Sequence, residues 1–333
     1  MAQHMKYYYE LTISCSPHVH SPVTTRTVMR DVILALTPAL LGSVYFFGLR
    51  ALVVTLISVA ACVFFEWAWC RVMKQHCKVY DLSAVVTGIL LAFVCPVTIP
   101  YWMIVVGDFF AIVLVKMLFG GIGQNVINPA LAARAFLFSW PAAMSTWVQV
   151  GWQNRAGVVS TADAVTAATP MADLHGGNLP EASILDMFLG NVGGSLGETS
   201  AALLLVGFVY LLLRRIISPR IPVAYLGTVA VLALLFPMGN DRLTWMAAQL
   251  CGGGLMLGAI FMATDYVTSP VTKLGQVIYG IGCGVLTVLI RYFGSYNEGV
   301  SYAILIMNLC VVLLDRIGRP KKFGAPKKEA ASR

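Results

Sequence analysis

Thr169 closes the run Asp163-Ala-Val-Thr166-Ala-Ala-Thr169-Pro170, which sets one acid and two hydroxyls in a stretch of small residues. By composition alone this is an ordinary loop with two exposed threonines. Asn125 and Asn128, within Gly120-Gly-Ile-Gly-Gln-Asn125-Val-Ile-Asn128-Pro129-Ala130, are spaced i, i+3, which puts both amides on one face if the segment is helical. Such amides can hydrogen-bond an isoalloxazine or a quinone head. They equally suit a capping turn, with Pro129 in the first turn of the next helix. Ser195 and Glu198 have the spacing of a capping box ahead of an apolar run. Asp265 and Thr268 follow another apolar run, where a carboxylate and a hydroxyl suit the cap of the next helix. Asp108 falls near the middle of an apolar run. A carboxylate there is costly, and it must pair, take up a proton or face a cavity, so it is the candidate for ion coupling. Glu66, Lys116 and Arg134 lie nearer the ends of such runs and are expected to snorkel or to pair.

The elements that must position these groups are membrane helices. Of 333 residues, 58% are hydrophobic and only 11% charged, against about 25% charged in a soluble domain. The mean hydropathy is +0.78. Apolar runs of roughly 18 or more residues recur, which reads as membrane-spanning helix, although the third and fifth of those read are short for a full crossing. Ten are read, at about 28–48, 50–71, 82–95, 98–119, 127–140, 199–217, 221–238, 245–263, 273–292 and 299–316. The net charge of +8 does not point to nucleic acid, because the positives lie between apolar runs and in the tail, without interleaved aromatic residues. The eight cysteines form no C-x-x-C pair, and His18-Val-His20 stands alone in a polar segment, so no metal site is expected. Gly280-Ile-Gly-Cys-Gly284 lies inside an apolar run, where glycines permit close helix packing rather than dinucleotide binding.

Loop charge sets the expected orientation. Lys6, Arg26, Arg30, Arg71, Lys74, Lys78, Arg214, Arg215 and Arg220 share one side with the basic tail, and the opposite side carries only Arg50, Arg242 and Arg291 singly. Both termini are therefore expected in the cytoplasm. The expected organisation is a cytoplasmic segment 1–27, a membrane repeat 28–140, a periplasmic loop 141–198, a second membrane repeat 199–317 and a basic cytoplasmic tail 318–333. The repeat is read from Gly88–Pro100 against Gly258–Pro270, in which Gly88, Val97, Thr98 and Pro100 match Gly258, Val267, Thr268 and Pro270 at constant offset. The two copies start on opposite sides, as in inverted repeats, where sites form at broken helices near the midplane. The fold class is all-α, a polytopic membrane protein of about ten helices in a five-plus-five inverted repeat.

These motifs, in order along nearly the whole chain, resemble the NqrB/RnfD family. Asp163–Thr169 resembles its flavinylation motif D-x-x-S-G-A-T, with Thr166 in place of Ser and Ala167 in place of Gly. Gly120–Ala130 resembles its GG-x-G-x-N-x-x-NPA signature, Gly193–Ser200 its G-S-x-G-E-x-S element, and Met262–Pro270 its M-A-T-D-P-V-T-S-P element, with Tyr266 replacing Pro. Ser16-Pro17-His18 resembles the N-terminal SPH element. The resemblance implies FMN bound to Thr169 through a phosphoester made by a flavin transferase, with Asp163, Thr166 and Glu198 nearby. It also implies a non-covalent riboflavin at Asn125 and Asn128.

The short N-terminal segment favours the Rnf side of the family over the sister NqrB chains of the Na⁺-pumping NADH:quinone oxidoreductase. The function implied is one relay in a multisubunit translocase of the bacterial inner membrane, not catalytic alone. That complex moves electrons between ferredoxin and NAD and couples this to Na⁺ or H⁺ translocation. The implied partners are membrane subunits A, E and G and soluble subunits B and C. Two rivals remain: a solute channel or transporter, for which an outer-loop flavin motif is needless, and a structural anchor, for which Asn125, Asn128 and Asp108 are.

Overall fold

A computed structural model describes residues 23–74, 79–148, 169–239, 241–294, 296 and 298–317. Each of the ten apolar segments carries helix. The first half runs α1 (Thr25–Phe47), α2 (Leu49–Val72), α3 (Ser83–Phe93), α4 (Tyr101–Phe109) and α5 (Pro129–Leu137). α4 continues without a stop into a π-helical stretch, Phe110–Met117. Two short helices, α6 (Pro170–His175) and α7 (Ile184–Leu189), belong to the hydrophilic insertion. The second half runs α8 (Ala201–Leu213), α9 (Arg220–Leu235), α10 (Arg242–Cys251), α11 (Leu255–Leu257, continuing π-helical over Gly258–Met262), α12 (Lys273–Phe293) and α13 (Val300–Ile317).

Among the described residues, four helices, α1, α2, α12 and α13, are long and apolar enough to cross a bilayer alone. α10 and α11 together make a fifth, bent by 63° at the break between them. Helix length thus accounts for four or five of the ten expected crossings; α3, α8 and α9 are apolar but shorter.

Local chemistry explains where the helices begin. Thr24, Ser200 and Thr272 cap α1, α8 and α12 through side-chain oxygens that accept from N3 amides. The cap of α8 is therefore Ser200 rather than Ser195, and that of α12 is Thr272 rather than Asp265 or Thr268. Pro38 sits within α1, tolerable where neighbouring helices satisfy the freed carbonyl.

Packing is inside-out relative to a soluble protein. Leu41, Leu56, Phe64, Trp67, Val206 and Leu309 are exposed, as lipid-facing residues should be, whereas Glu66, Asp108, Lys116, Arg134 and Arg291 are buried. α1 packs on α8, α2 on α3, and α9 on α12. Two arginines read from the sequence as isolated loop charges lie inside this core. Arg50 donates through Nε to Val97 O at 2.7 Å and through Nη2 to Ile99 O at 3.3 Å, within the turn that follows α3. Arg291 donates through Nη1 to Gln249 O at 2.7 Å and through Nη2 to Gly252 O at 3.1 Å, at the break after α10. Non-helical backbone at membrane depth needs such donors.

Candidate functional site

The polar residues gather in two places, at opposite ends of α5. At its first turn, Asn128 is the N-cap, its Oδ1 accepting from Ala130 N at 3.0 Å and Leu131 N at 3.4 Å. Its Nδ2 donates to Met262 O at 3.3 Å, where the π-helical end of α11 leaves a carbonyl available. Asn308 of α13, with its amide oriented by its neighbours, donates to Thr268 O at 3.1 Å and accepts from Asn128 N at 3.2 Å. Asn125 lies in the preceding turn, not on a helix, and donates to Ile127 O at 3.1 Å. Gly120, Gly121 and Gly123 give that turn φ values of +112°, +91° and +89°, open to glycine and strained for other residues.

Both asparagines nevertheless line one cavity, which also meets Lys116, Ser83, Phe261, Thr264 and Asp265. A mostly apolar wall with a few polar groups is the usual lining of a cofactor site. Burial pushes the Asp265 carboxyl above its ordinary range, and Thr268 Oγ1 donates to it at 3.1 Å. Lys116 pairs with Glu66 at 2.6 Å and donates to Ser83 Oγ at 2.6 Å. It is paired rather than snorkelling.

The second place lies near the other end of α5. Arg134, fully buried, donates to Glu198 Oε1 at 2.8 Å through Nη1 and to Glu298 Oε2 through Nη2. One guanidinium thus serves two carboxylates. Burial holds the Glu198 carboxyl above its ordinary value of 4.5, at about 7, against the pull of Arg134 and with the push of Glu298. Glu198 Oε2 and Ser195 Oγ are buried and outside ordinary hydrogen-bond geometry, but Ser195 is close enough to act on the Glu198 carboxyl. Both residues line a narrow crevice with Thr169, Met171, Met187, Glu298 and the Gly252–Gly253 break. Gly253 has φ +66°, and a Cβ on Gly254 would strike Glu198 Oε1, so the glycine break lets α10 and α11 close over the carboxylate.

Thr169 is the N-cap residue of α6 with Pro170 at N1, yet its side chain makes no capping bond. Its hydroxyl is therefore not engaged in holding α6. The crevice is narrow, with room for a small polar group rather than a flavin ring. The carboxylate oxygen Glu198 Oε2 can accept from a hydroxyl, whether that of Ser195 or of a bound group. Asp163 and Thr166, with Ala167, lie outside the described residues, as does Ser16-Pro17-His18.

Asp108 is separate from both places. It is fully buried on α4, with Oδ1 accepting from Ser58 Oγ at 2.7 Å and Cys62 Sγ at 3.2 Å; Oδ2 has no partner among the described residues. Among the same residues no group of three or more His, Cys, Asp or Glu is placed to hold a metal. The Arg134–Glu198–Glu298 cluster escapes sequence reading as a unit because Arg134 lies 64 and 164 positions from its two partners.

The sequence matches the model of the NQR2, RnfD, RnfE family over residues 12–324. It is 48% identical over 323 residues to the D subunit of the Na(+)-translocating ferredoxin:NAD(+) oxidoreductase complex of Acetobacterium woodii, covering 95% of this chain and 96% of that one. Identity to the proton-translocating counterpart from Clostridium ljungdahlii is 42% over 326 residues, covering 94% and 96%. Identity to the D subunit of an ion-translocating oxidoreductase complex from Stutzerimonas stutzeri is 38% over 323 residues, covering 89% and 91%.

Proposed function

The chain belongs to the NQR2, RnfD, RnfE family, and from that premise we propose that it is the D subunit of an ion-translocating ferredoxin:NAD oxidoreductase complex, carrying FMN on Thr169. It works as one relay among the other membrane and soluble subunits, in the bacterial inner membrane. Its termini lie in the cytoplasm and its flavin loop in the periplasm. Asn125 and Asn128 hold a second, non-covalent flavin, riboflavin, in the larger cavity. Asp108 is the candidate for ion coupling. When bound, the flavins supply the redox chemistry, and the protein supplies position and electrostatics.

The observation that carries this reading is that a non-capping Thr169 hydroxyl lines one crevice with Ser195 and Glu198. A channel has no use for that arrangement. α5 supports both flavin positions, with Asn128 at one and Arg134 at the other. Six residues at 1.5 Å rise separate them by roughly 9 Å along the helix.

The test is in-gel fluorescence under ultraviolet light after denaturing electrophoresis, with the chain expressed beside a flavin transferase. A fluorescent band is expected for the native chain and none for Thr169→Ala. Because Thr169 makes no capping bond, the alanine variant is expected to fold. A folded native chain without fluorescence, beside an active transferase, overturns the Thr169 assignment.

A further inference from the structure

Lys116 sits in the wall of the larger cavity, on the π-helical continuation of α4. π-Helical turns recur at functional sites. Two of the ammonium's three N–H donors are taken by Glu66 of α2 and Ser83 of α3, each at 2.6 Å. Its side chain and that of Glu66 are each only 4% exposed. Such a pair is poor evidence for stability, because apolar residues of similar volume commonly serve as well. A buried cation at the wall of a cavity lined by two asparagines calls for another account. Among the described residues lining that cavity, Lys116 is the cation and Asp265 the carboxylate.

We propose that Lys116 and Glu66 form an opposed pair that sets the reduction potential of the flavin held by Asn125 and Asn128. The proposal rests on the reading of this cavity as a flavin site. Adding two electrons and one proton to the neutral isoalloxazine leaves it with one negative charge. Lys116 stabilises that charge and Glu66 opposes it, in surroundings where charges are poorly screened. Glu66 thus limits how far the lysine raises the potential. Ser83, on a third element, fixes the ammonium so that the balance does not drift.

The experiment uses the full chain in lipid nanodiscs with riboflavin as the probe, and follows bound-flavin absorbance in an equilibrium titration against redox dyes. Lys116→Met is expected to weaken binding of reduced relative to oxidised riboflavin by about tenfold, from loss of one nearby charge, and so to lower the midpoint. Glu66→Gln is expected to raise it. The double variant removes both charges together, which keeps the fold, and is expected to fall between them. Should Lys116→Met alone fail to fold, the double variant must still titrate below Glu66→Gln. Unchanged midpoints beside lowered melting temperatures would make the pair structural and overturn the proposal, as would shifts of the same sign. A native chain that binds no riboflavin overturns the cavity reading and this proposal with it. A native chain that binds riboflavin, with variants that do not shift, overturns the proposal alone.

Discussion

The Asn128 side-chain nitrogen donates to the Met262 carbonyl at 3.3 Å, and this bond joins the tip of α5 to the π-helical end of α11 across 134 positions of sequence. The same side chain's oxygen caps α5, so one residue holds two elements of different halves of the chain. Asn128→Ala removes both functions. It is expected to cost about 1 kcal/mol for the cap, and about 1–3 kcal/mol for the orphaned carbonyl. Asn128→Asp keeps the cap oxygen and loses the donor, so its melting temperature is expected between those of the native chain and the alanine variant. Thermal unfolding in detergent reads the series. An aspartate variant as stable as the native chain would mean that the bond to Met262 contributes nothing.

Arg134 between Glu198 and Glu298 leads to a second prediction. Arg134→Met leaves two carboxylates without a counter-charge, and the expected loss is about 3–5 kcal/mol. Replacing all three together, Arg134→Met with Glu198→Gln and Glu298→Gln, is expected to recover most of that loss. If the single and triple variants melt alike, the charges are not what the site's stability depends on.

Glu198 also predicts a pH dependence. Its pKa in the folded protein is held at about 7, above its ordinary 4.5, mainly by burial. Its contribution to stability is therefore full below about 4.5 and is lost as pH rises through about 7. Melting temperature is expected to fall over that interval in the native chain and to fall less in Glu198→Gln. Parallel profiles for the two proteins would remove Glu198 as the titrating group.

Asp108→Asn keeps an oxygen for Ser58 and Cys62 to donate to, so the fold is expected to survive. As the proposed coupling group, its loss is expected to leave ferredoxin oxidation by the whole complex nearly intact while ion uptake into proteoliposomes drops at least several-fold. Full uptake by the variant would return Asp108 to a structural role.

Much of this architecture is legible in the sequence because the bilayer imposes a long period. Apolar runs mark the helices to within a few residues, and the ten read segments all carry helix. The spacing of Asn125 and Asn128 suggests a shared helical face. They share a cavity instead, brought together by a glycine turn whose positive φ values no periodicity reveals. Ser195 and Glu198 show why a spacing rule misleads: their capping-box pattern is genuine, but Ser200 takes the cap, which leaves Ser195 facing the crevice. The π-helical stretches after Phe109 and Leu257 leave no mark in hydropathy. Lys116 and Arg134 can be read as paired, yet their partners come from distant elements that only the tertiary fold brings near.

Arg50 and Arg291 each fasten a non-helical turn by filling its carbonyls with guanidinium donors. The alternative donor at such a depth is water, and a file of water through a bilayer conducts protons. Non-helical turns inside a membrane protein therefore need donors from the protein itself if they are to stay dry. Arg50 and Arg291 supply those donors, one at the turn after α3 and one at the break after α10.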